Sequence, residues 1–258
     1  MSTKGPSGKI GPLSILKRQL VNPYPPAAPM TLNKPSADRR LTSPIVAFFD
    51  VDNTVLPGEA SEVRFFRWLW RQGMVGWPEV RASLSWLIRH LPATSLHPLR
   101  ERKLYLAGKP SHVIQPMGES FCRKFLCPLV SPAALHAIET HRKSGHAIVL
   151  LTGSLDFLIG PIATCVQAER CYAGQLEQIN GVYTGNLIPP LPYGEGKRRL
   201  IEQLAREFSL DLSLCYAYGD SPGDLDLLRA VGHPTVINPI RGMADMAKRQ
   251  NWPIQRWQ

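Results

Sequence analysis

Carboxylates follow two of the short apolar runs in this sequence. Asp50 and Asp52 come directly after the first run, and Asp220 and Asp224 come shortly after a later one. Two nearby carboxylates offer the oxygen ligands that a divalent cation such as Mg²⁺ takes in proteins. They can also divide the roles of nucleophile and of general acid and base. Each pair therefore indicates a site for metal-assisted displacement or proton transfer.

Groups that suit a phosphate lie between the two pairs of carboxylates. Thr152 and Gly153 follow another apolar run, and a hydroxyl beside a free backbone N–H at a helix start forms an anion site. Lys197 lies just inside a predicted helix, from which its ammonium group can reach a phosphate. Each feature is a weak signal alone, because similar residues often serve only as caps or turns. The occurrence of all these features in this order along the chain is a much stronger signal.

The elements that would position these groups alternate between strand and helix. Short apolar runs predict four strands, at Ile45–Phe49, His146–Leu151, Leu214–Tyr218 and Pro234–Ile237. Helical periodicity follows from about Leu155, at Gly196–Phe208 and at Pro222–Ala230. This alternation predicts a mostly parallel sheet with helices on both faces. Ligands bind at the carboxyl ends of the strands in such sheets, which is where the candidate residues lie.

A long segment of the chain carries no strand pattern. Between residues 58 and 145 the apolar residues recur at helical spacing, over Ser61–Gln72, Glu79–Leu91, Leu99–Ala107 and Ser111–Leu126. The sequence therefore predicts an all-helical insertion. After it, Cys171–Leu176 and Gly181–Leu187 are expected to pair as a hairpin.

Residues 44–258 resemble the haloacid dehalogenase (HAD) superfamily of aspartate-nucleophile phosphohydrolases. The stretch DVDNT from Asp50 is similar to its first motif, and Thr152, Lys197 and GDSPGD are similar to the second, third and fourth. The insertion is similar to the C1 cap of the phosphoserine-phosphatase-like branch. The resemblance implies an α/β fold. A Rossmann-like parallel-sheet core would comprise residues 44–57 and 146–258, and an all-helical C1 cap residues 58–145.

The resemblance also implies a catalytic role for the carboxylates. Asp50 would be the nucleophile that attacks phosphorus and forms an aspartyl-phosphate. Asp52 would protonate the leaving alcohol and then activate the hydrolytic water. Asp50, the backbone carbonyl of Asp52 and Asp220 would hold Mg²⁺, with Asp224 in support.

Further roles follow for the phosphate and for the substrate. Thr152, the Gly153 N–H and Lys197 would bind the phosphoryl oxygens. Glu59 lies nine residues after Asp50, the offset at which phosphoserine phosphatases place a glutamate that reads the substrate amine. The alternative for Glu59 is a place at a helix start, where the macrodipole favours an acid.

The function implied is Mg²⁺-dependent hydrolysis of a small phosphomonoester, such as phosphoserine or another amino-alcohol phosphate. A lipid or lysolipid phosphate is a second substrate class, suggested by the aromatic cap and a basic N-terminal arm. A non-catalytic binding protein with this fold is a rival of another class. The aromatic stripe over residues 65–70, with Trp77 and Trp86, favours packing inside the cap, and an apolar tunnel or a membrane-facing cap is the alternative.

The charge of the chain is concentrated near its start. The formal net charge is +10, and residues 1–43 hold seven Lys or Arg against one Asp. This segment is rich in Pro, Ser and Gly, which predicts a flexible basic arm. Since the remainder is only mildly basic, no nucleic-acid partner is expected. Membrane contact through the arm or the aromatic cap stays open.

The cysteines and the N-terminus bear on the compartment. Five cysteines without a Cys-x-x-Cys pair argue against a disulfide scaffold and a structural zinc site. The N-terminus lacks the apolar core of a signal peptide. A reducing, cytoplasmic location is therefore expected.

Overall fold

The computed structural model describes residues 41–90 and 102–258, and its centre is a parallel β-sheet. The described strands are β1 (Val46–Phe49), β2 (Ala147–Leu155), β3 (Arg170–Gly174), β4 (Leu176–Ile179), β5 (Val182–Leu187), β6 (Tyr216–Gly219), β7 (His233–Ile237) and β8 (Ile254–Gln255). Six of them form one sheet in the order β3-β2-β1-β6-β7-β8, and β4 and β5 form an antiparallel hairpin. All pairs of neighbouring strands in the large sheet are parallel.

Helices connect the strands and form the insertion. The described α-helices are α1 (Ser61–Arg71), α2 (Trp77–His90), α3 (Ser111–Phe121), α4 (Pro132–Lys143), α5 (Asp156–Cys165), α6 (Glu195–Phe208), α7 (Leu225–Ala230) and α8 (Met243–Arg249). None of the described helices is both long and apolar enough to cross a bilayer. The predicted α/β fold with a parallel sheet and a helical insertion is confirmed.

The central strand β1 explains why the first apolar run has no polar position. It pairs with β2 on one side and β6 on the other, and all four of its residues are buried. Helices cover both faces of a parallel sheet, so a central strand needs apolar side chains in both directions. Ala47 and Phe49 pack into one apolar cluster and Val46 and Phe48 into another. Packing on both faces thereby fixes the end of β1, and Asp50 is the residue that directly follows it.

One prediction about the strands after the insertion is corrected, and one strand was not predicted. The predicted partner of Gly181–Leu187 was Cys171–Leu176, but β5 pairs with β4, and β3 instead joins the large sheet beside β2. Gly174 ends β3, so the predicted run is divided between two sheets. Parallel pairing with β2 is non-local, and the pattern of a short run carries no signal for it. The short edge strand β8 was also missed.

The described part of the insertion is helical, with two links to the hairpin. Leu104–Leu106 forms a 3₁₀ turn where part of a longer helix was expected, and residues 91–101 of that region lie outside the described residues. Single β-bridges join Arg102 to Asn186 and Pro110 to Val182. The predicted arm also lies outside the described residues, except for residues 41–43.

Candidate active site

All seven residues of the four sequence motifs line one cavity at the carboxyl ends of the strands. The cavity has a volume of about 570 Å³. Its motif residues are Asp50, Asp52, Thr152, Gly153, Lys197, Asp220 and Asp224. The chain brings them there from four separate places in the sequence, because β1, β2 and β6 are neighbours in the sheet.

Lys197 lies at the centre of the acidic residues. It is in the first turn of α6, its side chain is buried, and its Nζ lies 2.5 Å from Asp50 Oδ1 and 2.5 Å from Asp224 Oδ1. Burial lowers the pKa of this lysine, but the charges of Asp224 and Asp50 outweigh burial and raise it. Lys197 is therefore a fixed cation at the floor of the cavity.

Three buried carboxylates surround this cation. Asp50, Asp220 and Asp224 each offer an oxygen, and these oxygens all lie within 4.8 Å of one another. Burial, and repulsion from Asp224, raise the pKa of Asp220 to about 7. Burial also raises the pKa of Asp50, against the opposing charge of Lys197. One lysine does not neutralise three carboxylates, so the donor set fits a divalent cation that prefers oxygen ligands.

The oxygens of Asp224 are already engaged by the protein. Oδ1 accepts from Lys197, and Oδ2 accepts from the backbone N–H groups of Asp220 and Ser221 and from the Ser221 hydroxyl. A Cβ at Gly219 would lie 2.5 Å from the Cβ of Asp224, so only glycine permits this close approach. Asp224 is thus placed to hold the loop and Lys197.

Asp52 is held by two serine hydroxyls. Its Oδ1 accepts from the Ser61 backbone N–H at 2.7 Å, and its Oδ2 accepts from Ser154 Oγ at 2.5 Å and from Ser61 Oγ at 3.2 Å. Ser61 begins α1 and Ser154 lies in β2, so both the insertion and the core hold this carboxylate. The sequence analysis missed both serines. Ser154 had a signal, because residues two apart in a strand face the same side.

Asn53 links the first and fourth motifs. It has a positive φ of 57°, and its Nδ2 donates to Asp220 Oδ2 at 2.8 Å and to the Asn238 carbonyl at 3.0 Å. Asn238 Nδ2 donates in return to the Asn53 carbonyl. Asparagine tolerates this backbone conformation better than most residues. Asn53 thereby orients a candidate metal ligand, a role that the sequence analysis did not assign.

Thr152 and Gly153 line the cavity from a strand and not from a helix start. Strand β2 continues to Leu155 and α5 begins at Asp156, where the sequence predicted the strand to end at Leu151. The pairing with β3 shifts register between Leu151 and Leu155. The irregular end of β2, and not a helix N-terminus, therefore carries Thr152 and Gly153 at the cavity.

Glu59 lies outside the cavity. Its carboxylate pairs with Arg67 at 2.6 Å, and it lines a separate hollow beside Phe125 and Leu129. Glu59 precedes α1, whose N-cap is Ala60.

The insertion instead contributes a different ion pair to the cavity. Glu62 and Lys103 both line it, and Lys103 Nζ lies 2.5 Å from Glu62 Oε2. Burial raises the pKa of Glu62, although Lys103 opposes this rise. Among the described residues, Glu62 Oε1 and the Tyr105 hydroxyl are buried without a hydrogen-bond partner. The sequence analysis named neither Glu62 nor Lys103, because ordinary spacing on an amphipathic helix gave no signal for them.

Comparison with known proteins agrees with this geometry. The model of the haloacid dehalogenase-like hydrolase family matches residues 47–229. A probable phosphatase of Mycobacterium tuberculosis is 31% identical over 213 residues, which cover 81% of this chain and 74% of that protein. A phosphoserine phosphatase of the same organism is 26% identical over 239 residues, which cover 90% and 76%.

A solved structure extends the likeness to three dimensions. A Bordetella pertussis protein with no established function superposes with a TM-score of 0.69 at 27% identity, covering 81% of this chain and 96% of that one. The family match spans more than half of the chain and contains all four motifs. The chain therefore belongs to the haloacid dehalogenase-like hydrolases and is a phosphatase of that family.

Proposed function

We propose that this protein hydrolyses a small phosphomonoester in a Mg²⁺-dependent reaction that passes through an aspartyl-phosphate on Asp50. The observation that carries the proposal is the convergence of Asp50, Asp52 and Lys197 in one cavity with two further buried carboxylates. Phosphoryl transfer needs positioning and charge neutralisation more than elaborate covalent machinery. A buried lysine between carboxylates supplies both.

Asp50 performs the first displacement in this proposal. Its carboxylate oxygen attacks phosphorus, and the bond from phosphorus to the alcohol oxygen breaks. Asp52 donates a proton to the departing oxygen, so the alcohol leaves neutral. Lys197 and the Thr152 hydroxyl, together with the Gly153 N–H, orient the phosphoryl oxygens. Ser61 and Ser154 hold the Asp52 carboxylate in its position.

Water completes the reaction. Asp52, now a carboxylate, takes a proton from a water molecule that attacks phosphorus. The bond between phosphorus and the Asp50 oxygen breaks, inorganic phosphate leaves, and both aspartates return to their starting states. The two-step route requires a nucleophile and a separate acid that later acts as a base. The two carboxylates that follow β1 divide these roles in the proposal.

Asp50, Asp220 and the backbone carbonyl of Asp52 would hold the Mg²⁺ ion, with Asp224 in support. When bound, the ion supplies positive charge that reduces repulsion between Asp50 and the phosphate. The crowding of Asp50, Asp220 and Asp224 and the raised pKa of Asp220 support this assignment.

The proposed substrate is phosphoserine or another amino-alcohol phosphate. The relative named phosphoserine phosphatase supports this class. The cavity is of a size that suits a small metabolite. Glu62 and Lys103 place one acidic and one basic side chain on the side of the cavity that the insertion forms. Such side chains suit a leaving alcohol that carries charged groups.

The test is phosphate release from a panel of phosphomonoesters, with Mg²⁺ and with EDTA. The panel contains phosphoserine, histidinol phosphate, phosphocholine, sugar phosphates, nucleotides and lysophosphatidate. We expect hydrolysis that requires the metal and favours a small amino-alcohol phosphate. Hydrolysis that persists undiminished in EDTA would contradict the metal assignment. A preference for lysophosphatidate would overturn the proposed substrate class.

A further inference from the structure

Helix α2 carries a row of apolar side chains on its outside. Trp77, Leu84 and Ile88 have 69%, 53% and 70% of their surface exposed. Their spacings of seven and four residues place them on nearly one line along the helix. The row is about 17 Å long at the ordinary helical rise. Single exposed apolar residues are common on proteins, but a straight row that includes a tryptophan is not.

The half-buried residues of α2 are mixed in polarity, with Val80 and Trp86 beside Glu79 and Ser83. Glu79 is half-buried and pairs with Lys109, whose Nζ lies 3.0 Å from Glu79 Oε1. Ser83 is also half-buried and donates to the Glu79 carbonyl. A helix whose outside faces water normally places its polar residues outward and its apolar residues inward. The exposed apolar row on α2 departs from this arrangement and therefore marks a candidate contact surface.

The segment that carries the row is basic. Arg71, Arg81 and Arg89 are exposed, and Glu79 is the single acid between residues 71 and 90. Because Glu79 is engaged by Lys109, the three arginines are the charges that this segment presents. Arg81 lies one turn from Trp77 on the same side of the helix.

We propose that the outer face of α2, formed by Trp77, Arg81, Leu84 and Ile88, docks on the surface of an anionic lipid bilayer. The apolar row would enter the boundary between headgroups and acyl chains, and the arginines would contact lipid phosphates. Aromatic, aliphatic and arginine side chains on one helix face are the composition that binds at this boundary. The proposal concerns location at a membrane and does not depend on the proposed reaction.

A second copy of this chain fits the same face less well. Arg81 lies near the middle of the row, so two-fold pairing of the face with itself would bring the two Arg81 side chains together. Like charges opposed across an interface are costly. An anionic lipid surface instead places negative charge against Arg81 and offers an apolar layer to Trp77 and Ile88.

The experiment is co-sedimentation of the full chain with vesicles of phosphatidylcholine, with and without phosphatidylglycerol, at low and high salt. The test variant is Trp77→Ser/Ile88→Ser. The matched control is Ile179→Ser, which removes a residue of 60% exposure from the tip of the β4–β5 hairpin. Circular dichroism and sedimentation velocity without vesicles are measured on each sample. These two measurements report folding and self-association independently of lipid binding.

We expect the wild-type chain to bind vesicles that contain phosphatidylglycerol and to keep part of that binding at high salt. Trp77→Ser/Ile88→Ser should lower the partition constant at least tenfold, with Ile179→Ser unchanged. Equal binding by the test variant and the wild type would overturn the proposal, because the attraction would then come from another segment, such as basic residues 1–43. Absence of vesicle binding would overturn it too. A dimer that the test variant converts to a monomer would assign the face to a second copy.

Discussion

The two sides of the cavity differ in how completely their polar atoms are paired. On the core side, Lys197 contacts both Asp50 and Asp224, and Asp224 accepts four hydrogen bonds. On the insertion side, Glu62 pairs with Lys103 through Oε2, but its Oε1 is buried without a partner among the described residues. Buried polar atoms are nearly always paired in folded proteins.

This difference suggests a division of labour. A site whose central cation and supporting carboxylate make many contacts is rigid and suits a group that is the same in every substrate, here the phosphoryl group. An incompletely paired site retains hydrogen-bonding capacity and suits a group that differs between substrates, here the leaving alcohol. We therefore expect substitutions on the core side to abolish chemistry and substitutions on the insertion side to change substrate preference.

The largest effect is expected for Asp50→Asn. An amide is a poor nucleophile, so kcat should fall about 10⁴-fold or more for every substrate. Phosphate release measures the loss, and a cooperative thermal transition of the variant shows that it is folded. Activity within tenfold of the wild type would disprove the role of Asp50.

Lys197→Met should be nearly as damaging to activity and also destabilising. Removal of the cation leaves Asp50 and Asp224 facing each other in a buried site, which costs about 3 kcal/mol at neutral pH. The loss should be smaller at pH 5, because burial raises the pKa of Asp50 and protonation of this carboxyl group then relieves the repulsion. Urea unfolding at both pH values measures the difference. Equal destabilisation at the two pH values would contradict the electrostatic explanation.

On the insertion side, Glu62→Gln and Lys103→Met should change kcat/KM by about 10- to 100-fold for the preferred substrate. Hydrolysis of p-nitrophenyl phosphate should change much less, because its leaving group lacks groups that could pair with either side chain. Glu59→Gln is the matched control and should remain within about twofold, since Glu59 pairs with Arg67 outside the cavity. Equal losses of kcat/KM on the preferred substrate and on p-nitrophenyl phosphate would contradict the proposed difference between the core side and the insertion side of the cavity. A larger loss in Glu59→Gln than in Glu62→Gln would reassign the substrate contact.

The smallest effect is expected in the pH dependence of the affinity for Mg²⁺. The pKa of Asp220 is raised to about 7 by burial and by Asp224, so this carboxyl is mostly protonated below pH 7. Because a cation binds the carboxylate, the Kd for Mg²⁺ should fall about tenfold from pH 6 to pH 8. Conversely, the free energy of unfolding of the metal-free protein should decrease as pH rises from 4 to 7, since the folded state retains the proton. Calorimetric titration with Mg²⁺ measures the first effect, and a Kd independent of pH would contradict it.

The core side was predictable from the sequence because its residues lie at or near the ends of regular elements. Asp50 and Asp220 follow buried strands, and parallel strands bring their ends together at one edge of the sheet. Lys197 lies in the first turn of a helix with clear periodicity. Local pattern and sheet geometry together therefore placed these residues.

The insertion side was not predictable by the same means. Glu62 and Lys103 are 41 residues apart and meet only when the insertion folds back on itself. Neither position differs from an ordinary surface position of an amphipathic segment, and the spacing rule that suggested Glu59 selected a side chain that points elsewhere. The predicted pairing of β3 was wrong for a related reason, because its contact with β2 depends on how separate parts of the chain fold together.

The most direct test of the central claim is to trap the phosphorylated enzyme. Asp52→Asn should still form the aspartyl-phosphate from a substrate with a good leaving group, such as p-nitrophenyl phosphate, but should activate water poorly. After an acid quench, mass spectrometry should then find one phosphoryl group on the peptide that contains Asp50, and none in Asp50→Asn/Asp52→Asn. Phosphate on another residue, or rapid turnover with no phosphorylated peptide in any variant, would contradict the account.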